Sequence, residues 1–154
     1  MTTAEVEYAV AQHIDIRRNL IVPNVWWGMG LPFECDLLYV TGSNYAHEVE
    51  IKVSRSDLVR DKKKRRHIKP KWGYTPSTIR SRTFAIPADM EECINEIPES
   101  CGIILVSKNR KCRVLRKATI NTRARKLTEA ELLQMYRLMA MRVWSMKKKM
   151  LGVK

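Results

Sequence analysis

Val6, Ala9, Val10, His13 and Ile14 recur at the spacing of one helical face, and Thr2 with Glu5 three residues later forms a capping box. The chain therefore opens with an amphipathic helix expected to run to about Arg18. Leu20 to Trp27 is rich in strand formers but holds Pro23, which lacks an amide proton and so suits a bent or edge strand. Two strand-like stretches follow, Phe33 to Val40 and the segment through Glu48 and Glu50, on either side of Thr41-Gly-Ser-Asn44. Ser54 and Asp57 make a second capping box, and Pro70, which restricts the residue before it, ends that helix near Lys69. Lys71 to Arg82 has no clear period and reads as a loop. Arg82 to Pro87 then reads as a short strand, Met90 to Ile97 as a short acidic helix or turn, and Cys101 to Ser107 as a buried strand. Lys111 to Leu115 is its hairpin partner across Lys108-Asn-Arg110. Thr128 and Glu131 cap a last helix with a stripe of Leu132, Met135, Tyr136, Met139, Val143 and Met146. Leu133, Ala140 and Trp144 widen that stripe enough for two surfaces, the helix's own sheet and a second subunit.

The hairpin around Ser43 brings chemistry with it. Gly42 or Asn44 supplies the positive φ of a tight turn, and a centre at Ser43 places Asp36 opposite Glu50. Alternation puts Glu48, Glu50 and Lys52 on one face of the second strand and Val49, Ile51 and Val53 on the other. Two carboxylates about 5 Å apart at Cβ repel unless a cation lies between them. Lys52 and a divalent ion would supply it. Aspartate is depleted from strands, and Asp36 shares its face with Leu38 and Val40, so its position is partly buried and calls for a partner. Glu48, one pleat nearer the turn, is expected to be a solvated bystander. Glu7 lies beside the buried stripe of the first helix and is a candidate to point into the site, whereas Glu5 is explained by its cap. His13 reads as a satisfied core histidine, His47 sits at core-facing parity near the turn, and His67 suits a phosphate contact.

Charge sharpens the picture. Twenty-nine Lys and Arg against 16 Asp and Glu in 154 residues give +13, which attracts polyanions. The length fits a single domain over residues 1–154, with a core to about residue 116 and a basic connector and last helix over 117–154. Arg55, Arg60, Lys62, Lys63, Lys64, Arg65, Arg66, His67 and Lys69 crowd the second helix with little to bury, so it is read as a nucleic-acid-facing surface. Trp72 and Tyr74 could stack on bases or fold back onto the core. A membrane partner is not expected, because no apolar run approaches spanning length and the basic helix lacks a membrane-facing apolar side. Cys35, Cys93, Cys101 and Cys112 lack metal-ligand spacing and fit a reducing, cytoplasmic setting.

Asp36 followed by Glu50-Ile-Lys52 at the end of the next strand resembles the PD-(D/E)XK phosphodiesterase superfamily, with Cys35 where the eponymous proline would stand. Val49-Glu-Ile-Lys-Val-Ser54, Asp57, Asp61, Lys62 to His67, Thr83-Phe-Ala-Ile-Pro87, Ile97-Pro98 and Gly102-Ile-Ile extend the likeness to the small MmcB-like DNA-repair nucleases and related phage proteins, over roughly residues 1–116. The resemblance implies an α/β, restriction-endonuclease-like core, a mixed sheet of about five strands flanked by helices, with a long C-terminal helix appended. It also implies that Asp36, Glu50 and the backbone carbonyl of Ile51 bind Mg²⁺, for which Mn²⁺ can substitute. Lys52 would assist the attacking water or the developing phosphorane. The function expected is Mg²⁺-dependent endonucleolytic cutting of DNA. A non-catalytic nucleic-acid-binding module on the same fold and a homodimeric junction resolvase are the alternatives.

Overall fold

The computed structural model describes residues 1–26, 31, 34–60 and 77–152. Helix α1 (Thr3–Ile14) carries the expected capping box from Thr2 and Glu5. It stops at Ile14 rather than Arg18, because Asp15 takes a left-handed conformation at φ 72° that no α-helix can continue. The Asn19 side-chain amide then donates to the freed Ile14 carbonyl at 2.7 Å.

Among the described residues six strands form one sheet in chain order: β1 (Leu20–Val25), β2 (Cys35–Val40), β3 (Ala46–Ile51), β4 (Ile79–Pro87), β5 (Gly102–Val106) and β6 (Cys112–Arg116). The resemblance implied about five strands; the sheet has six, and β1, expected as a bent or edge strand from Pro23, stands at the edge and pairs with β2 at Leu20–Pro23 and Val25. β1, β2 and β3 run antiparallel, β4 and β5 run parallel to β3, and β6 turns back antiparallel. β4 starts at Ile79, three residues before the expected Arg82, and a 3-10 segment (Ala88–Glu96) follows it directly.

The strands' alternation distributes the core over two faces. Val6, Ala9 and Val10 of α1 pack on Leu37, Val49, Ile51, Ala85 and Ile104. On the other face Leu58, from helical residues 55–60, joins Met90, Cys93 and Ile97 over Phe84, Ile86, Ile103 and Leu105. Beside them Met135 and Leu138 of the last helix, α2 (Glu129–Met150), cover Val22, Leu38, Val40 and Ala46. A buried side chain of this size stabilises by about 1.5–3 kcal/mol, so these few α2 contacts suffice to dock the helix. Its expected stripe is only half used: Tyr136, Val143 and Met146 are exposed. No described helix is long and apolar enough to cross a membrane.

Candidate active site

The β2–β3 register pairs Leu37 with Val49, Leu38 with Glu48, Tyr39 with His47 and Val40 with Ala46, a hairpin centred on Ser43. One step outward stand Asp36 and Glu50. The Ile51 amide donates to Asp36 Oδ2 at 2.8 Å, which fixes the aspartate at the mouth of the hairpin. Lys52 Nζ lies 2.6 Å from Glu50 Oε1 and 3.7 Å from Asp36 Oδ2. The lysine side chain is 14% exposed, so its charge is held among the two carboxylates and away from bulk water. Past the end of β3 the Lys52 amide still donates to the Ala85 carbonyl of β4 at 3.1 Å, which sets the direction of the segment. In a trans peptide the N–H and C=O point opposite ways, so the Ile51 carbonyl points toward β2 and Asp36.

Glu7 is the fourth member. It is half-buried on α1, and its carboxyl is raised from the ordinary glutamate value, first by burial and then by the negative charge of Asp36, with Arg142 of α2 opposing. Arg142 is itself anchored to the Asn24 carbonyl at 2.8 Å. Glu5 belongs to its cap and lies 3.9 Å from Arg110.

Glu48 departs from expectation. It is 1% exposed rather than solvated, and accepts a 2.7 Å hydrogen bond from Arg82 Nε. The reason is topological: β4 adds in parallel with Arg82 level with Glu48, making β3 a central strand covered on both faces. Burial alone would weaken the charge on Arg82, but the charge and hydrogen bond of Glu48, and Glu50 beyond it, raise its pKa instead. Cys35 is buried beside the same carboxylates, and burial and their charges push its thiol up, keeping it protonated.

Among the described residues no three His, Cys, Asp or Glu side chains group into a metal site. Magnesium does not require three. It takes one or two carboxylates, other oxygens and water, and Asp36, Glu50 and the Ile51 carbonyl make that donor set, with Lys52 Nζ marking a point both carboxylates reach. Of the basic residues singled out, Arg55 and Arg60 are exposed, and Arg60 pairs with Asp57 at 3.3 Å. Lys62, Lys63, Lys64, Arg65, Arg66, His67 and Lys69, with Asp61, Trp72 and Tyr74, lie outside the described residues.

His13 and His47 stand at the far end of the strands, beside a cavity of about 450 Å³ on the α1 face. His13 is exposed there, not a core residue, because α1 ends one residue later. His47 stacks on Tyr39 with ring centroids 4.7 Å apart and meets Ser81 Oγ at 2.7 Å through Nδ1. Burial, with Arg80, lowers its pKa to about 4.

No protein-family model and no curated protein matches this chain. A solved structure is similar to it: a protein of unknown function from Silicibacter pomeroyi, at a TM-score of 0.64 over 97% of this chain and 91% of that one. At 14% identity that likeness shows a shared fold.

Proposed function

We propose that this chain is a Mg²⁺-dependent DNA endonuclease of PD-(D/E)XK type, closest in character to the small MmcB-like DNA-repair enzymes and working in the cytoplasm. The observation that carries the reading is Lys52 Nζ set 2.6 Å from Glu50 and 3.7 Å from Asp36, at the mouth of a hairpin on an otherwise basic protein. A binding module has no use for paired carboxylates aimed at a polyanion, since they repel it.

Asp36, Glu50 and the Ile51 carbonyl would hold the ion, which when bound polarises the phosphate and lowers the pKa of its water. Lys52 places a fixed positive charge where negative charge grows on the phosphoryl oxygens as the new oxygen bond forms and the old one breaks. Glu7, with its raised carboxyl, accepts the proton released by the attacking water. Arg55 and Arg60 hold the substrate backbone. The exposed apolar residues of α2 offer a surface to a second copy, which sedimentation at micromolar concentration would register.

The test is incubation with single-stranded, duplex, branched and damaged DNA in Mg²⁺ or Mn²⁺, with an EDTA control. Glu50→Ala and Lys52→Ala are each expected to lower cutting at least about 100-fold, the scale of one lost transition-state contact. Binding in EDTA should stay within about threefold. Cutting that survives both substitutions would overturn the reading, and so would cutting in EDTA.

A further inference from the structure

We infer that the β5–β6 turn, through Lys108, Arg110 and Lys111, is a second phosphate-contacting element on the path of the same nucleic acid, an inference that rests on the function proposed above. The sheet brings it to the right edge. β3, β4 and β5 are parallel, and Ile51, Ala85 and Ile104 stand level with one another across them. Two strand spacings, roughly 10 Å, therefore separate Lys52 from β5 in the plane of the sheet. β5 continues to Val106, so the turn stands above the level of the carboxylates like a low wall. α1 ties the two together. Arg110 Nη2 lies 3.9 Å from Glu5 Oε1, and two residues along the same helix Glu7 senses the charge of Asp36.

The turn's own chemistry points to an anion. Lys108, Arg110 and Lys111 are all exposed, and among the described residues neither lysine makes an ion pair, while the carboxylate near Arg110 already accepts the Thr2 amide at 2.9 Å. The turn is also rigid. The Arg110 amide donates to the Ser107 carbonyl at 2.8 Å, the Ser107 amide to the Lys111 carbonyl at 2.9 Å, and Ser107 Oγ bonds Asn109 and the Lys111 backbone. Three cations are thus presented on a backbone that needs no ordering on binding, leaving only their side-chain rotamers to be fixed.

The residue at the tip is costly. Arg110 has φ 61°, the left-handed position of a three-residue hairpin loop, where glycine or asparagine is at ease. Among the described residues the other non-glycine ones with positive φ are Asp15, Asn24 and Asn44, whose short polar side chains tolerate it. An arginine there carries strain of the kind that persists where a side chain is needed. The neighbouring surface narrows the path further. Asp89 and Glu92 lie on the 3-10 segment that covers Phe84 and Ile86, and Glu91 there pairs with Arg113 of β6 at 3.0 Å, so Asp89 and Glu92 favour a path on the α1 side of the turn.

Fluorescence anisotropy with a short duplex in EDTA tests this apart from cutting. Lys108→Ala/Arg110→Gly/Lys111→Ala is expected to weaken binding at low salt about 10- to 100-fold and to reduce the slope of log K against log salt by about 2 to 3, at 0.9 per phosphate contact. Arg110→Gly alone should weaken binding severalfold while its melting temperature is unchanged or raised, which separates lost charge from misfolding. Arg17→Ala/Lys117→Ala/Arg123→Ala removes as many exposed charges at the opposite end of the strands and should stay within about twofold. An unchanged slope in the turn variant, or an equal loss in the control, overturns the inference while DNA cutting stands. If the wild type neither binds DNA in EDTA nor cuts it in Mg²⁺, the proposed function fails and takes this inference with it.

Discussion

Arg82→Met should be among the most destabilising single changes in the molecule, because Arg82 partners a carboxylate buried inside the sheet's second layer. The Glu48 side chain is 0% exposed and its carboxylate lies 2.7 Å from Arg82 Nε. With charge centres about 4 Å apart and an effective dielectric of about 20, the attraction is about 4 kcal/mol. Removing the guanidinium leaves the carboxylate in a site closed to water, a class of change that costs about 3–5 kcal/mol. Urea unfolding followed by circular dichroism reads this directly. With a slope of about 2 kcal/mol per molar, the midpoint should fall by about 2 M. Two companions make the cause specific. Glu48→Met/Arg82→Met, which removes both charges, should recover most of the loss, because two apolar groups no longer demand each other. In Arg82→Met alone Glu48, deprived of the guanidinium, has a raised folded-state pKa, so its penalty is present at neutral pH and shrinks as pH falls through that value toward the ordinary carboxylate range. A single variant within 1 kcal/mol of the wild type, or a double variant no more stable than the single, would show that the pair does not hold β3 to β4 in this way.

His47 has a folded-state pKa lowered to about 4 by burial, below the ordinary histidine value of 6.5, so the unfolded chain takes up a proton first as pH falls. Its contribution to stability should be complete above pH 6.5, decline as pH falls toward 4 and be absent below that; His47→Phe should flatten the stability profile across that window in thermal melts. At Gly102 an added Cβ would meet Thr83 Oγ1 at 2.8 Å and the Ala118 amide nitrogen at 3.0 Å. Gly102→Ala is therefore expected to cost about 1–3 kcal/mol by overpacking, and a urea midpoint equal to the wild type's would contradict that.

The sequence made the site legible because the groups that form it are close in the chain. Asp36, Glu50 and Lys52 span one hairpin, and once the turn was centred on Ser43 the period of two placed them together. Glu7 was harder, since helical spacing gave its face but not the strand end beneath it. Glu48 was misjudged because its environment is decided by a residue 34 positions away on a parallel strand, whose register no local pattern encodes. Arg142 was invisible for the same reason, 118 residues from the Asn24 carbonyl it bonds. The end of α1 turned on the left-handed backbone of Asp15, a choice of conformation that the apolar spacing of the helix does not record.

The sheet's order, with each strand beside its predecessor in the chain, sets a sequence of events during folding. β1, β2 and β3 can associate through short connections, so Asp36, Glu50 and Lys52 meet as soon as the second hairpin closes. Glu48 must wait for β4, which arrives only after a long crossover. Until then its carboxylate faces the layer where Phe84 and Ile86 will pack, without the hydrogen bond that Arg82 gives it there. The dry second layer over β3 and the placement of Arg82 level with Glu48 are therefore parts of one arrangement, reached only with β4 in its native register.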